Sequence, residues 1–265
     1  MASTLTYNIS KLNDRRILII GGSSGIGFGV AEAVIAHGAS VIISSSSEKR
    51  LSNAVERLAE RIPTSGGRVQ AVLCDLSSPE NAEVEAKRLF DKVIESGKLD
   101  HVVYTAGDSL TFGKIEDFTL PQIHQAGMVR FFGPILVAKH LRRCLNEGTA
   151  SSFTLTGGNA PKRPPPDFTV VSAYLAGLDG VVTGLARDLA PIRVNSVSPG
   201  SVDTELWNHI RQEDGFEQFR ENVEGRTLTH AMGKVEDVAE SYLYLMKDYN
   251  ATGTTVRTDG GMLIA

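Results

Sequence analysis

Two cysteines and one tryptophan are the scarcest side chains in this sequence of 265 residues, and neither sign of charge dominates it. Cys74 and Cys144 lack the close pairing of a metal knuckle or a redox motif, so they are expected as buried free thiols in a reducing compartment. The six histidines, at 37, 101, 124, 140, 209 and 230, show no metal-ligand spacing, and no metal is expected. A net charge of -4 with both signs scattered along the chain argues against a nucleic-acid surface or a polybasic membrane patch. The opening MASTLTYNIS lacks a basic flank followed by an apolar run, and no stretch elsewhere reads as long enough to span a bilayer. A cytoplasmic protein is the expectation.

What the sequence does contain is a regular alternation. Short β-branched runs recur as RRILIIG, SVIIS, RVQAVLCD, HVVYTAG, SSFTLTG, IRVNSVS and GTTVRTDGG. Helix-period segments such as FGVAEAVIAHG, NAVERLAERI, AEVEAKRLFDKVIE and VEDVAESYLYLMKD lie between them. Strand alternating with helix predicts an α/β fold: a doubly wound, seven-stranded parallel sheet with helices on both faces, in one domain over residues 1–265. Two segments break the alternation, a Pro/Gly-rich stretch at 158–171 and a polar one at 203–228 that carries Trp207, Phe216 and Phe219. Ligands of open α/β sheets bind beyond the carboxyl ends of strands, which makes both segments candidate walls of a substrate pocket. For the three aromatics, ordinary packing is an equal expectation.

The first strand runs directly into GGSSGIG, so that Gly21, Ser23, Ser24, Gly25, Ile26 and Gly27 form a glycine-rich turn opening a helix. Gly21 allows the tight turn, Gly25 lets a pyrophosphate approach the backbone, and Gly27 lets helix and strand pack closely. The strand before and the helix after supply the context this motif needs. After the second strand, where an acid would hold the ribose hydroxyls of NAD, the chain reads SSSSEKR. Ser44, Ser45 and Ser46, with Lys49 and Arg50 close by, suit a 2′-phosphate and predict NADPH/NADP+ as the cofactor.

The spacing GxxxGxG at 21–27, CDL at 74–76, TAG at 105–107, IRVNSVSPGSVDT at 192–204 and TDGG at 258–261 together resemble the short-chain dehydrogenase/reductase superfamily over nearly the whole chain. That resemblance implies a Rossmann-type subunit, usually in a homodimer or homotetramer. It also implies adenine contacts at Asp75 and Leu76, a nucleotide-lining Ala106 and Gly107, and nicotinamide contacts from Pro199, Gly200, Val202 and Thr204. The family's usual catalytic set of Asn, Ser, Tyr and Lys is replaced here: the corresponding positions are Arg130, Gly157, Val171 and Leu175. Tyr7 to Lys11 is the one literal Tyr-x-x-x-Lys and precedes the first strand. Tyr174 lies most of a turn beyond Val171, and is expected to face a neighbouring helix or pocket wall.

Reducing a ketone makes an alkoxide and requires a proton from a tuned acid. Hydride addition to an iminium cation needs none, because it neutralises the charge; such a site requires a negative group to hold the cation. Asp167, behind Pro164, Pro165 and Pro166, is the candidate, and Arg130 can orient it or bind an anionic part of the substrate. A turn or helix-cap role for Asp167 stands beside that reading. PPDFT at 165–169, with Arg130, Val171 and Leu175, is similar to the bifunctional reductase/Diels-Alderases of fungal prenylated indole alkaloid pathways, of the malbrancheamide and paraherquamide type. That resemblance implies NADPH-dependent reduction of an azadiene/iminium zwitterion, then an intramolecular [4+2] cycloaddition to a bicyclo[2.2.2]diazaoctane, with Asp167 and Arg130 as the catalytic residues. The competing expectations are an inert NADP-binding sensor and a carbonyl reductase that recruits Tyr174.

Overall fold

Leu18 and Ile20 point to one face of the first strand and Ile17 and Ile19 to the other, and all four are buried. A strand hydrophobic on both sides belongs inside a three-layer α/β sandwich. The computed structural model, which describes residues 11–212 and 215–265 apart from the side chains of Thr64 and His209, has that architecture. Tyr7 lies outside the described residues.

The strands are β1 (Arg16–Ile20), β2 (Ser40–Ser45), β3 (Val69–Leu73), β4 (His101–Tyr104), β5 (Ser152–Thr156), β6 (Arg193–Pro199) and β7 (Thr255–Thr258). All pair in parallel, in the order β3-β2-β1-β4-β5-β6-β7. The order reverses between β1 and β4, which opens a crevice at the carboxyl ends of these two strands. The helices α1 (Gly25–Ala36), α2 (Glu48–Arg61) and α9 (Val235–Lys247) contribute to the core cluster that holds Ile17, Ile19, Val34, Leu58 and Tyr242. The opposite cluster, with Leu18, Ile20, Phe90, Leu141 and Val182, draws on α3 (Ala82–Ile94), α5 (Gly133–Cys144) and α6 (Thr169–Asp188). Both cysteines are buried free thiols, and burial pushes the Cys74 thiol up to about 12.

The two irregular segments differ from the sequence reading. Residues 203–228 form a 3-10 turn at Glu205–Trp207 followed by α7 (Asn208–Gln212) and α8 (Phe216–Glu224). Residues 169–171 of the Pro/Gly-rich stretch already belong to α6. That helix also corrects the expectation about membrane-length segments. With 20 residues and a mean hydropathy of 1.4 over its best window, it is long and apolar enough to cross a bilayer. Here it is a layer of the sandwich, seated through Val170, Val171, Leu178 and Val182.

Arg193 at the start of β6 is buried and has carbonyl rather than carboxylate partners. It donates to Thr149 O at 2.6 Å, Leu245 O at 2.6 Å, Met246 O at 3.0 Å and Ala251 O at 3.1 Å. A cation at the carboxyl end of α9 satisfies carbonyls that the helix leaves open and complements its dipole.

His101 on β4 is 1% exposed, and its Nδ1 lies 2.9 Å from Ser152 Oγ. Burial, opposed by Asp100 and reinforced by Arg193 and Arg15, pushes the imidazole down to about 3. The unfolded chain therefore takes up this proton first, and the contribution of neutral His101 is complete above about 6.5 and lost as pH falls toward 3. Between pH 7 and pH 5 it should remove about 2 kcal/mol. Urea unfolding of His101→Asn should show a correspondingly smaller loss over that interval than wild type; an equal loss would assign the acid sensitivity elsewhere.

Candidate active site and cofactor seat

The glycine-rich turn occupies the crevice between β1 and β4. Gly21 has φ +91°, and a Cβ there would lie 2.5 Å from Ala106 N. A Cβ on Gly27 would run into Gly21 O and Thr105 Oγ1, so the first turn of α1 can reach the strands only without a side chain. The Gly21 and Gly22 amides donate to Ser44 O at 2.8 and 3.2 Å, which fixes the turn to the end of β2.

The other expected cofactor residues gather around this turn. Ser23 is buried, Ser24 is the N-cap of α1 without a capping side-chain bond, and Ile26 packs against the core beneath. Ser44 is fully buried and its Oγ has no partner, while Ser45 O accepts from Cys74 N. Arg50 Nη2 donates to Ser46 Oγ at 2.9 Å, so a cation and a hydroxyl stand together at the start of α2. Asp75 Oδ1 accepts from Ser77 N at 2.9 Å, and Leu76 is buried beside it. Gly200, just past Pro199 at the end of β6, donates to Thr258 O at 3.1 Å. Val202 bridges to Gly233, and Thr204 lies against Gly25, where a Cβ would meet its side chain at 3.3 Å. Glycines with no room for a side chain, an unpartnered buried hydroxyl and a paired Arg and Ser together fit a dinucleotide. A carboxylate of the chain, Glu205 Oε2, sits 2.9 Å from Gly25 N and marks that amide as an anion seat.

Arg130 is placed differently from the sequence expectation. It lies in a π-helical turn, Met128–Phe132, inserted between α4 (Leu120–Gly127) and α5. Its partner is Asp108, not Asp167: Nε lies 3.0 Å from Asp108 Oδ1, and Nη2 donates to Asp108 O. The carboxylate contact is ionic rather than an aligned hydrogen bond. Burial drives both partners toward neutrality, lowering Arg130 and raising Asp108, and their attraction opposes it. The guanidinium covers Gly107, where a Cβ would lie 3.0 Å from Nη1. Nη1 itself has no hydrogen-bond partner among the described residues.

Tyr104, the last residue of β4, steadies the π turn by donating to Val129 O at 2.6 Å. Gly133 is required beside it, since a Cβ there would collide with the Tyr104 hydroxyl. Sequence reading found neither Asp108 nor Tyr104. An Asp immediately after TAG was visible, but its pairing with a residue 22 positions on depends on the π turn.

Asp167 does not cap α6. The N-cap is Phe168, and it receives no side-chain bond. Asp167 instead adopts φ +60°, a left-handed backbone unusual for any residue but glycine, and its carbonyl accepts from Gly113 N at 2.9 Å. The side chain is exposed and makes no hydrogen bond or ion pair with the described residues. The Gly113 bond joins the loop after β4 to the loop after β5, and across that junction Phe112 stacks on Phe168 at 4.7 Å between centroids. Phe112 keeps half its surface exposed beside this junction, and the sequence reading did not single it out.

The positions of the usual catalytic set hold no proton donor. Gly157 and Leu175 line one cavity of about 220 Å³ with Asn159 and Ser198, and Val171 is buried. Tyr174 faces α4, with its hydroxyl donating to Ile123 O at 3.1 Å and its ring between Phe131 and Phe132. Trp207, Phe216 and Phe219 pack on one another, with Trp207 and Phe219 4.5 Å apart.

Comparison with known proteins agrees with this architecture. The family model described as an SDR-like Rossmann domain matches residues 8–265. The short-chain dehydrogenase/reductase fsr5 of Gibberella fujikuroi is 50% identical over the whole of both chains. The short-chain dehydrogenase/reductase malC of Malbranchea aurantiaca is 39% identical over 96% of each. The solved structure of the MalC reductase/Diels-Alderase superimposes with a TM-score of 0.91 at 38% identity, covering 97% of this chain and 99% of that one. A small-chain dehydrogenase solved in complex with NADPH is 26% identical with a TM-score of 0.75, covering 96% of this chain and 100% of that one. A parallel seven-stranded sheet with its glycine-rich turn at the switch point, matched along nearly its full length, makes this chain a member of the short-chain dehydrogenase/reductase family.

Proposed function

We propose that this protein is an NADPH-dependent reductase of an iminium/azadiene zwitterion that then templates an intramolecular [4+2] cycloaddition to a bicyclo[2.2.2]diazaoctane indole alkaloid. The observation that carries the reading is Asp167: an unpaired carboxylate, held in a left-handed backbone and free of any capping role. Backbone strain of this kind persists where the surroundings impose it, and it gathers at functional sites. The likeness to the MalC reductase/Diels-Alderase over nearly the whole chain supports the same chemistry.

In this reading Asp167 and the adjacent face of Phe112 hold the cationic end of the substrate. The free Nη1 of Arg130 donates to its anionic oxygen, and Asp108 keeps the guanidinium in place from behind. Bound NADPH supplies the hydride. No proton donor is required, in keeping with Val171 and Leu175 at the positions where one would stand. Tyr174 is unsuited to the part because its hydroxyl is committed to Ile123 O.

Cycloaddition needs the diene and the alkene held in one geometry, which apolar walls supply by shape. A 100-fold preference for one face takes roughly 2.7 kcal/mol. Exposed Phe112, Ile115, Leu120, Leu206 and Leu228 furnish apolar surface of the right kind. The exposed small residues Ala173, Ala176 and Gly180 on α6 suit contact with a second copy of the chain, and a homodimer or homotetramer in the cytoplasm is proposed.

Single-turnover NADPH oxidation on a prenylated indole zwitterion, beside a matched ketone, tests the reaction. The zwitterion alone should be reduced and give one bridged isomer. Asp167→Asn should slow that turnover about 100-fold or more, the scale of one charge stabiliser lost. Turnover equal to wild type would remove the main support, and NADPH binding without turnover of either compound would favour a sensor.

Cofactor choice has its own test. Arg50→Ala should weaken NADPH about 10-fold or more, the loss of one charge-assisted phosphate contact, and leave NADH unchanged. Parallel weakening of both cofactors would show that Arg50 does not read the 2′-phosphate.

A further inference from the structure

The 3-10 turn Glu205–Trp207 crosses the glycine-rich turn and places a carboxylate on it. Glu205 Oε2 accepts from Gly25 N at 2.9 Å, and Oε1 lies 4.0 Å from Arg57 Nη1. Gly25 opens α1, where a helix presents unsatisfied amides and the positive end of its dipole. Ser24, the N-cap, satisfies none of these amides through its side chain. A carboxylate from 180 residues further along the chain does so instead.

The same amide belongs to the pyrophosphate seat of the glycine-rich turn. One amide hydrogen cannot serve two anions, and a carboxylate beside a pyrophosphate is repelled by it. We propose that Glu205 is an intramolecular competitor for the cofactor phosphates, so that cofactor binding displaces the Glu205–Trp207 turn. Trp207 ties this turn both to α8 and to the body of the protein. Trp207 is fastened to Phe219 by its ring and to Val202 O by its indole N–H at 2.9 Å, and Phe219 in turn meets Phe216. Displacement at Glu205 therefore strains the indole bond to Val202 O, and Trp207 reports on it. The inference rests on the nicotinamide cofactor and is independent of which substrate is reduced.

Glu205 is exposed, so its replacement leaves the core intact. In the full-length protein, Glu205→Ala should bind NADP+ roughly three- to tenfold more tightly than wild type by calorimetry, with Glu205→Gln in between. Trp207, the sole tryptophan, supplies a second readout that needs no turnover. Inorganic pyrophosphate, which neither absorbs nor quenches as a nicotinamide does, should change the Trp207 emission of wild type and leave that of Glu205→Ala unchanged. Equal or weaker NADP+ binding by Glu205→Ala would overturn the proposal, as would a wild-type emission indifferent to saturating pyrophosphate. Failure of every form to bind NADP+ would overturn the cofactor assignment itself, a result distinct from equal binding.

Discussion

The crossing of β1, β4 and α1 leaves no room for a methyl group, and the site depends on that constraint. Gly27 lies against Gly21 O and Thr105 Oγ1, and Gly21 against the Ala106 backbone. Thr105 Oγ1 closes the junction by donating to Ile20 O and Gly21 O, each at 3.2 Å. A side chain at either glycine would lift α1 from the sheet and carry the Gly25 amide away from the switch point. From this contact follow the position of the helix N-terminus, the exposure of Ala106 and Gly107 to the crevice, and the surface on which Arg130 lies.

Asp108, Glu205 and Asp167 are carboxylates in three different settings. Asp108 is half-buried and bound to Arg130, forming a nearly neutral pair whose geometry is fixed by Tyr104 through the π turn. Glu205 rests on a helix N-terminus, with Arg57 Nη1 4.0 Å from its other oxygen, at the amide proposed to take a stronger anion. Asp167 is unpaired, held by its backbone instead of by a counter-ion. A carboxylate already neutralised contributes little to a passing cation, and one bound to the helix is available only after displacement. Among the three, Asp167 alone has no protein partner among the described residues, and this is why the proposed chemistry centres on it.

Much of the scaffold was legible because its signals are local. Seven β-branched runs became seven strands, and the glycine spacing marked the turn, since both depend on residues close together in sequence. The pairing of Arg130 was not legible: a π turn shifts side chains off the ordinary helical register, and what sustains it is a hydroxyl from β4. Nor was Glu205, whose partner lies 180 residues away. For Asp167 the pattern allowed a turn, a cap and a ligand; the structure places it in a turn at φ +60°, one residue before the N-cap Phe168, which removes the cap. The length of α6 was not legible either: its 20 residues qualify by length and hydropathy as a bilayer span, which the sequence reading had not found.

Replacing a tyrosine-lysine pair by Val171 and Leu175 also changes the medium. A lysine beside a phenol keeps a site wet, because the ammonium must be solvated or paired. Valine and leucine require neither, and Val171 is buried outright. In the proposed reading a substrate carrying both charges meets Asp167 at one end and Arg130 at the other. If hydride addition cancels the cationic charge, as proposed, the attraction to Asp167 falls away and apolar contact dominates, the condition under which shape alone can govern a cycloaddition. Reduction and ring closure in one pocket then need no second set of catalytic groups.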